Sequence, residues 1–357
     1  MKFPKLFVAL FLLAISSTAM FGQTTAKPKK APRNLAILIF DGVQIIDYTG
    51  PFETFGHTYT NDGEAFNIYT VSEKSNAITT AMGMSVNPKY SFESAPKPDL
   101  LLVPGGDVRA QVSSPTVIKW VQDTARDAEI VMSVCNGAFI IAKAGLLDGM
   151  EATTTASLIP SFREAAPKVK VVDDRRFVDN GRVITTAGLS SGIDGALHVI
   201  ERLFGKGTAQ MAALGMEYNW DPDSKFVRAM LADKYLRFNY DVKVVEGGWR
   251  PLSRSGSADK WENTWAVTTE STASELFETV NSSIAANRVY GPPITKWTRT
   301  TMAPTKDTMQ SSWNFNDEKG GAWAGVVTVV PVAGQKNQYT LSVKVARSNS
   351  RTTTSSL

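Results

Sequence analysis

A single cysteine, Cys135, lies where an apolar strand turns sharply into a helix. Residues 130–134 form a short apolar run, and a helical pattern begins at Gly137. A side chain at such a turn lies at the carboxyl edge of the sheet, beside free N–H groups of the helix. Those groups favour the thiolate, which is the nucleophilic form, so we expect a reactive thiol of low pKa. A small, buried, apolar cysteine is the alternative that this pattern leaves open.

Three other segments are predicted to end at the same edge of the sheet. Asp41 and Asp47 follow the first strand. Gly105 and Gly106 form a tight turn after the third, and Gly188 follows the fifth. A carboxylate, a thiol and glycine N–H groups at one edge can supply a proton carrier, a nucleophile and an oxyanion hole. Taken singly, the glycine pair can be a plain turn and Asp47 a helix cap; together they predict an active site.

Apolar strand runs alternate with helical stretches over the first 230 residues. The candidate strands are residues 35–40, 66–71, 99–103, 129–134 and 182–186. Continuous apolar runs such as LAILIF and LLLV are typical of strands covered on both faces. The predicted fold class is α/β, an open and mostly parallel sheet sandwiched by helices, followed by a small α+β domain. Ligands of such sheets bind at the carboxyl ends of the strands, where Cys135 is placed.

The N-terminal segment has the pattern of a secretory signal peptide. Lys2 and Lys5 precede the apolar run LFVALFLLAISSTAM, and small and polar residues follow. Cleavage is expected between about Ala19 and Ala26, which predicts a periplasmic or secreted protein. An uncleaved membrane anchor is the alternative, and no cysteine follows the run to support a lipoprotein anchor. In an exported chain the single cysteine has no partner within the chain and stays a free thiol.

The net charge of +4 is concentrated at the N-terminus. The first 33 residues hold six basic and no acidic residues, and the rest of the chain holds 32 basic against 34 acidic. This balance argues against a broad nucleic-acid-binding surface. We therefore expect a small-molecule substrate or ligand, no nucleic acid and, after signal cleavage, no membrane as partner. A homodimer stays open.

Five motifs occur in order between about residues 35 and 222: DGVQIIDYTGPFETF, LLVPGGD, SVCNGAFIIAKAGLLDG, ATTTA and TTAGLSSGIDGALHVIERLFG. Their order and spacing resemble the PfpI/ThiJ superfamily, which has the class I glutamine amidotransferase-like, flavodoxin-like fold. The resemblance is to the branch that contains isonitrile hydratases and the ligand-sensing halves of AraC-type regulators. The later segment MAALGMEYNWDP resembles the tail that closes the domain of this branch.

The resemblance implies roles for individual residues. Cys135 would be the nucleophile, Asp47 would hydrogen-bond the thiol, and the N–H groups of Gly106 and Asn136 would form the oxyanion hole. Asn136 stands where protease-like members have His and isonitrile hydratases have Thr, and Thr155 stands where many relatives have His. A Cys–His dyad is therefore missing, which argues against peptidase activity and leaves hydratase chemistry open. The residues expected to line the substrate pocket are Gly105, Thr155 and Gly188.

The two histidines do not supply the missing general acid or base. On the helix that begins near Gly192, His198 falls opposite the apolar stripe and is expected to pair with Asp194 in solvent. His57 has no ligand-type residue at a suitable spacing. Because no His/Cys cluster has the spacing of a metal site, we predict no bound metal and no cofactor.

The region after about residue 223 is predicted to differ from the α/β part. Residues 226–238 continue as helix and 247–261 form a loop-rich connection. Thr272 and Glu275 form a capping box that opens a helix through about Asn287. Three strands follow, and 339–346 alternate as in a sheet with one wet face. The predicted organisation is a signal peptide (1–22), a linker (23–33), a PfpI/ThiJ-like domain (34–225), a helix-and-loop connection (226–262), a small α+β domain (263–347) and a disordered tail (348–357).

Seven of the eight tryptophans lie between Trp220 and Trp323. Core packing is the expected role, and carbohydrate or partner binding by exposed aromatic rings is the alternative. AraC-type relatives carry a helix-turn-helix pair after the resembling domain. The strands predicted here, together with export, argue against a transcription factor.

Two classes of function remain. One is a cysteine-dependent hydratase or lyase acting on a small electrophile, in which Cys135 attacks and Asp47 carries the proton. The other is a non-catalytic ligand-binding or redox-sensing protein that uses the same pocket, with Cys135 as an oxidisable thiol.

Overall fold

The computed structural model describes residues 31–222, 235–236, 244–257, 259–286, 294–302, 308–317 and 319–348. The predicted signal peptide (1–22), nearly all of the helix predicted at 226–238 and the predicted tail beyond residue 348 lie outside these residues. Of the helices within the described ranges, none has the length and apolar character needed to cross a bilayer.

Seven strands form a central sheet between residues 33 and 186. They are β1 (Arg33–Leu38), β2 (Phe66–Ser72), β3 (Tyr90–Ser91), β4 (Leu100–Val103), β5 (Ile130–Ser133), β6 (Phe177–Asp179) and β7 (Val183–Thr186). Their order is β6-β7-β5-β4-β1-β2-β3, and neighbours are parallel except β6 and β7. The five predicted strands are confirmed, with ends shifted by at most two residues. The edge strands β3 and β6 are too short to show a sequence pattern.

Within residues 31–222, seven helices connect the strands of this sheet in the sequence or follow the last of them. They are α1 (Ile45–Gly56), α2 (Arg109–Ser113), α3 (Pro115–Asp127), α4 (Gly137–Lys143), α5 (Ile159–Ala165), α6 (Ser191–Phe204) and α7 (Lys206–Gly215), with a 3-10 turn at Ala156–Leu158. Three short ladders join Tyr59–Thr60 to Gly63–Glu64, Ile78–Thr79 to Ser85–Val86, and Glu151–Ala152 to Lys170–Val171. Helices α1 and α6 approach closely at Gly50, where an added Cβ would lie 3.0 Å from Ile193 Cγ1. The mostly parallel sheet and its alternating helices confirm the predicted α/β class.

The register of the central strands brings their carboxyl ends together. Val103 at the end of β4 lies opposite Ser133 at the end of β5, and Ser133 lies opposite Thr185 of β7. All of β4 and β5 is buried, which explains their continuous apolar sequences. Because these strands are parallel neighbours, the segments that follow them meet at one edge of the sheet. That edge carries the candidate site.

The C-terminal part forms a separate antiparallel sheet. Its strands are β8 (Val244–Ser257), β9 (Lys260–Thr269), β10 (Thr295–Thr301), β11 (Met309–Asn316), β12 (Ala322–Pro331) and β13 (Gln338–Arg347), in the order β8-β9-β13-β12-β11-β10. Helix α8 (Ala273–Ala285) begins at the predicted capping box, in which the side chain of Thr272 and that of Glu275 each bond the other residue's backbone N–H. The box and the small α+β domain are confirmed. Burial alternates along most of β13, so the predicted wet face is confirmed as well.

The loop-rich connection predicted at 247–261, within the proposed 226–262 segment, is wrong. These residues belong mainly to β8 and the start of β9, so the sheet begins at Val244 rather than near residue 263. The prediction failed because β8 is an edge strand and its residues 250–255 are all exposed. An exposed edge strand has no apolar alternation to reveal it, and its polar residues discourage pairing with other chains.

Tryptophans form much of the core of the C-terminal sheet. Trp313 and Trp323 are almost fully buried, whereas Trp297 is 42% exposed. Buried Asn281 of α8 accepts hydrogen bonds from Ser311 Oγ at 2.6 Å and Trp313 Nε1 at 2.9 Å. The core-packing interpretation is therefore confirmed for Trp313 and Trp323 but not for Trp297, and Asn281 fixes the helix to the sheet.

Candidate functional site

Cys135 lies at the turn between β5 and α4 in a left-handed conformation, with φ of 56°. A non-glycine residue rarely adopts such a φ, and strained residues of this kind cluster at functional sites. Hydrogen bonds to both the N–H and the C=O of Cys135 hold this conformation. The Cys135 N–H donates to Ala187 O at 3.2 Å, and Thr154 Oγ1 donates to Cys135 O at 2.8 Å. The side chain is partly buried and its thiol is free.

Asp47 lies in the first turn of α1 and is completely buried. Its Oδ2 accepts the N–H of Gly105 at 3.2 Å, and its Oδ1 accepts the N–H of Leu189 at 3.0 Å. A further hydrogen bond joins the carboxyl group to the Cys135 thiol. Asp41 is used elsewhere, because its Oδ1 accepts the N–H of Thr79 at 2.7 Å. The structure therefore brings Asp47, and not Asp41, to the thiol.

The thiol and the carboxyl group share one buried site, and both pKa values are raised. Burial raises the pKa of the Asp47 carboxyl to about 6, against the lowering effect of its hydrogen bonds. Burial, and then the negative charge of Asp47, raise the pKa of the Cys135 thiol to about 12. Hydrogen bonds from the Asn136 N–H and the Thr155 hydroxyl lower it by less. The predicted low-pKa thiol is wrong, because desolvation and a neighbouring carboxylate outweigh the donors at the start of a seven-residue helix.

The side chain of Asn136 pairs with the peptide of Gly106. The Gly106 N–H donates to Asn136 Oδ1 at 2.8 Å, and Asn136 Nδ2 donates to Gly106 O at 2.8 Å. The family resemblance implied that the Gly106 N–H belongs to an oxyanion hole, but in this structure that donor is already engaged. Gly105 permits the pairing, since a Cβ added there would clash with Asn136 Oδ1. The N–H of Asn136 faces the sulfur as expected.

Gly188 lets its backbone approach the sulfur and the Thr155 hydroxyl closely. A Cβ added at Gly188 would lie 2.7 Å from Thr155 Oγ1 and 3.2 Å from Cys135 Sγ. Thr155, which stands in the segment between α4 and α5, hydrogen-bonds the thiol. The predicted pocket residues Gly105, Thr155 and Gly188 thus surround the thiol and its carboxyl partner.

Leu189 is a site residue that the sequence did not single out. It has φ of 56°, the residue is 49% exposed, and its N–H donates to Asp47 Oδ1. The role lies in the backbone, so its side-chain type carried no signal. Only its position directly after Gly188 pointed toward the site.

The expected pairing of His198 with Asp194 is wrong. His198 Nε2 lies 2.7 Å from Asp179 Oδ2, and the ring stacks on Phe177. Asp194 is buried instead and pairs with Arg176 at 2.6 Å. The helical pattern placed Asp194 on the polar face correctly, but strand β6 covers part of that face.

The other histidine, His57, hydrogen-bonds Glu53 O through Nδ1 at 2.9 Å. Within the described ranges, no group of three or more His, Cys, Asp and Glu side chains is arranged to hold a metal ion. The reactive groups that the structure brings together at the site are the Cys135 thiol, the Asp47 carboxyl group and backbone N–H groups.

Comparison with known proteins gives matches over the N-terminal half. Residues 33–202 match the model of the DJ-1/PfpI family. Isonitrile hydratase of Pseudomonas putida is 31% identical over 188 residues, which cover 52% of this chain and 78% of the hydratase. The HTH-type transcriptional regulator CdhR of Pseudomonas aeruginosa is 27% identical over 47% of this chain and 50% of the regulator. The crystal structure of a THiJ/PfpI family protein from Pseudomonas syringae covers 59% of this chain and 85% of that protein, with 27% identity and a TM-score of 0.49. The family match ends before the C-terminal sheet.

Proposed function

This chain belongs to the DJ-1/PfpI family, and on that premise we propose that it is a cysteine-dependent hydratase or lyase that acts on a small electrophile, as an isonitrile hydratase does. The observation that carries the proposal is the buried Asp47 carboxyl group bonded to the Cys135 thiol. A nucleophile within hydrogen-bond reach of a base is the arrangement that covalent catalysis needs.

In the proposed reaction, the sulfur of Cys135 forms a bond to the electrophilic carbon of the substrate. The thiol proton passes to Asp47 and then to the substrate atom that receives the displaced electron pair. Water next adds to the same carbon, the carbon–sulfur bond breaks, and the thiol regains a proton. A carboxyl pKa of about 6 suits this exchange, because a proton carrier works best when its pKa is near the working pH.

Peptide hydrolysis is not part of the proposal. Cleavage of an amide must protonate a poor leaving group, which calls for a general acid such as His. Asn136 has a neutral amide and Thr155 a hydroxyl group, and the ring of His198 is bonded to Asp179. The proton that Asp47 carries goes, in the proposed addition, to the atom that receives the displaced electron pair, so the site suits an electrophile that has no amine to expel.

A ligand-binding protein is the second candidate, favoured by the engaged N–H of Gly106. A site whose oxyanion donor is occupied can hold a small molecule without turning it over. The thiol pKa of about 12 leaves little thiolate at neutral pH, so a peroxide sensor would need Asp47 to take the thiol proton just as the proposed enzyme does. CdhR and other HTH-type regulators among the relatives add to the case for ligand binding.

We also propose the setting in which the protein works. It is exported to the periplasm or beyond, binds a small molecule without a cofactor or metal, and has no nucleic-acid or membrane partner after signal cleavage. A homodimer is included as a candidate assembly. Cell fractionation with N-terminal mass analysis tests export, and retention of residues 1–22 in a membrane fraction would contradict it.

The activity is tested by paired assays of the wild type and the Cys135→Ala variant on isonitriles, α-oxoaldehydes and casein. We expect consumption of at least one small electrophile by the wild type and none by the variant. Casein cleavage that is lost in the variant would refute the non-peptidase proposal. If neither panel reacts but a small molecule raises the melting temperature, the ligand-binding candidate replaces the enzyme.

A further inference from the structure

We propose that the Asn136 side chain is a positioning residue that closes the second oxyanion donor of the site and so limits which electrophiles Cys135 attacks. This inference rests on the proposed function and concerns the same thiol. It turns on the Asn136–Gly106 amide pair, formed by the two hydrogen bonds between the Asn136 side chain and the Gly106 peptide.

The Asn136–Gly106 amide pair engages the Gly106 N–H, which points toward the turn between β5 and α4 that carries Cys135 and Asn136. Gly106 has φ of 133°, a conformation that L side chains rarely adopt, and this turns its N–H toward Asn136. The two bonds are each 2.8 Å, so the side-chain amide satisfies both the N–H and the C=O of one peptide. With the N–H of Asn136 directed at the sulfur, the pair leaves the site short of a donor for a developing oxyanion.

The glycine turn does not depend on Asn136 for its shape. Gln44 N–H donates to Gly105 O at 2.9 Å, and Asp107 N–H donates to Gly42 O at 2.9 Å. Val43 forms a bridge with Gly106 on the same side. Because these bonds hold the turn from the opposite face, removal of the Asn136 amide is expected to free the Gly106 N–H without collapse of the turn.

Two reactions of the same thiol distinguish stabilisation of an oxyanion by an N–H donor from the nucleophilicity of the sulfur. In acylation by p-nitrophenyl acetate, sulfur bonds to the carbonyl carbon, the carbonyl electron pair moves to oxygen, and p-nitrophenolate then leaves. In alkylation by iodoacetamide, sulfur bonds to the methylene carbon as iodide leaves, and no oxyanion forms. Both reactions need the thiolate, so the ratio of their rate constants largely cancels any change in thiol pKa.

The test measures that ratio in the full chain for the wild type and for Asn136→Ala, Asn136→Ser and Asn136→Asp. Reaction at other nucleophiles is subtracted with Cys135→Ala. We expect the ratio to rise at least tenfold in the alanine and serine variants, which lack the amide. In Asn136→Asp it should stay near the wild-type value, because a carboxylate oxygen still accepts the Gly106 N–H.

An unchanged ratio in Asn136→Ala and Asn136→Ser, or an equal rise in Asn136→Asp, would overturn the inference. Amide hydrogen exchange of Gly106 in the wild type gives a measurement that needs no variant to fold. Protection of that N–H is expected, and rapid exchange would refute the pair. Absence of any Cys135 alkylation would instead count against the proposed nucleophile, so the two failures are distinguishable.

Discussion

Replacement of Asp47 by asparagine is expected to change alkylation and turnover in opposite directions. The carboxylate charge is the second largest cause that raises the pKa of the Cys135 thiol to about 12. Removal of that charge should lower the thiol pKa and increase the thiolate fraction at neutral pH. The same substitution removes the proton carrier, which should lower turnover by about 10²–10⁴-fold.

The size of the alkylation effect follows from the causes of the pKa shift. Burial is the largest cause and remains in Asp47→Asn, so only part of the rise from 9.0 to about 12 is reversed. A fall of one pKa unit, about 1.4 kcal/mol, increases the thiolate tenfold at a fixed pH below the pKa. Nucleophilicity falls with basicity by roughly threefold per unit. The net expectation is alkylation about threefold faster than in the wild type.

The assay is the rate of iodoacetamide labelling of Cys135 between pH 7 and pH 11, followed by intact mass. Asp41→Asn is the matched control, because it removes the same charge from a carboxyl group that binds the Thr79 N–H instead of the thiol. If Asp47→Asn and Asp41→Asn change the thiol pKa equally, or if Asp47→Asn raises it, the charge of Asp47 does not act on the sulfur as argued.

Three further predictions concern the pocket, the pH dependence of stability and the C-terminal domain. Gly188→Ala should slow reaction of the thiol by roughly 10- to 100-fold, because the added methyl group would displace the Thr155 hydroxyl and crowd the sulfur. Gly207→Ala, where an added Cβ meets nothing within 4 Å, is the control, and equal rates in both variants would contradict the pocket. Burial raises the pKa of the Asp47 carboxyl group from 3.8 to about 6. The folded state therefore has a stability contribution from this group that is present below pH 3.8 and lost as the pH rises through 6. The wild type should therefore lose about 2 kcal/mol of unfolding free energy relative to Asp47→Asn between pH 4 and pH 7. If denaturant titrations give the same change in unfolding free energy for both proteins over this range, the prediction is refuted. Asn281→Ala leaves two buried donors without their acceptor and should destabilise the C-terminal domain by about 2–5 kcal/mol. Exposed Asn314→Ala should stay within about 0.5 kcal/mol, and similar melting of both variants would contradict the role of Asn281.

The sequence determined the central sheet and the edge at which the site lies. Strands β4 and β5 are buried along their whole length, so their residues had to be apolar and the pattern was visible. Cys135 and the glycine turn follow those strands directly, so their placement depended only on finding the strand ends. The capping box of α8 was equally local, since it joins Thr272 and Glu275 within one helical turn.

The tertiary structure alone decided the chemistry of these residues. The thiol pKa depends on burial and on Asp47, whose carboxyl group reaches Cys135 only because α1 packs beneath the same edge. The Asn136 side chain is directed to Gly106, which lies in a turn 30 residues away in the chain. The edge strand β8 is a strand only because β9 pairs with it. Apolar periodicity reports which side chains are buried. It does not report which polar groups meet after burial, because those contacts depend on packing between distant segments.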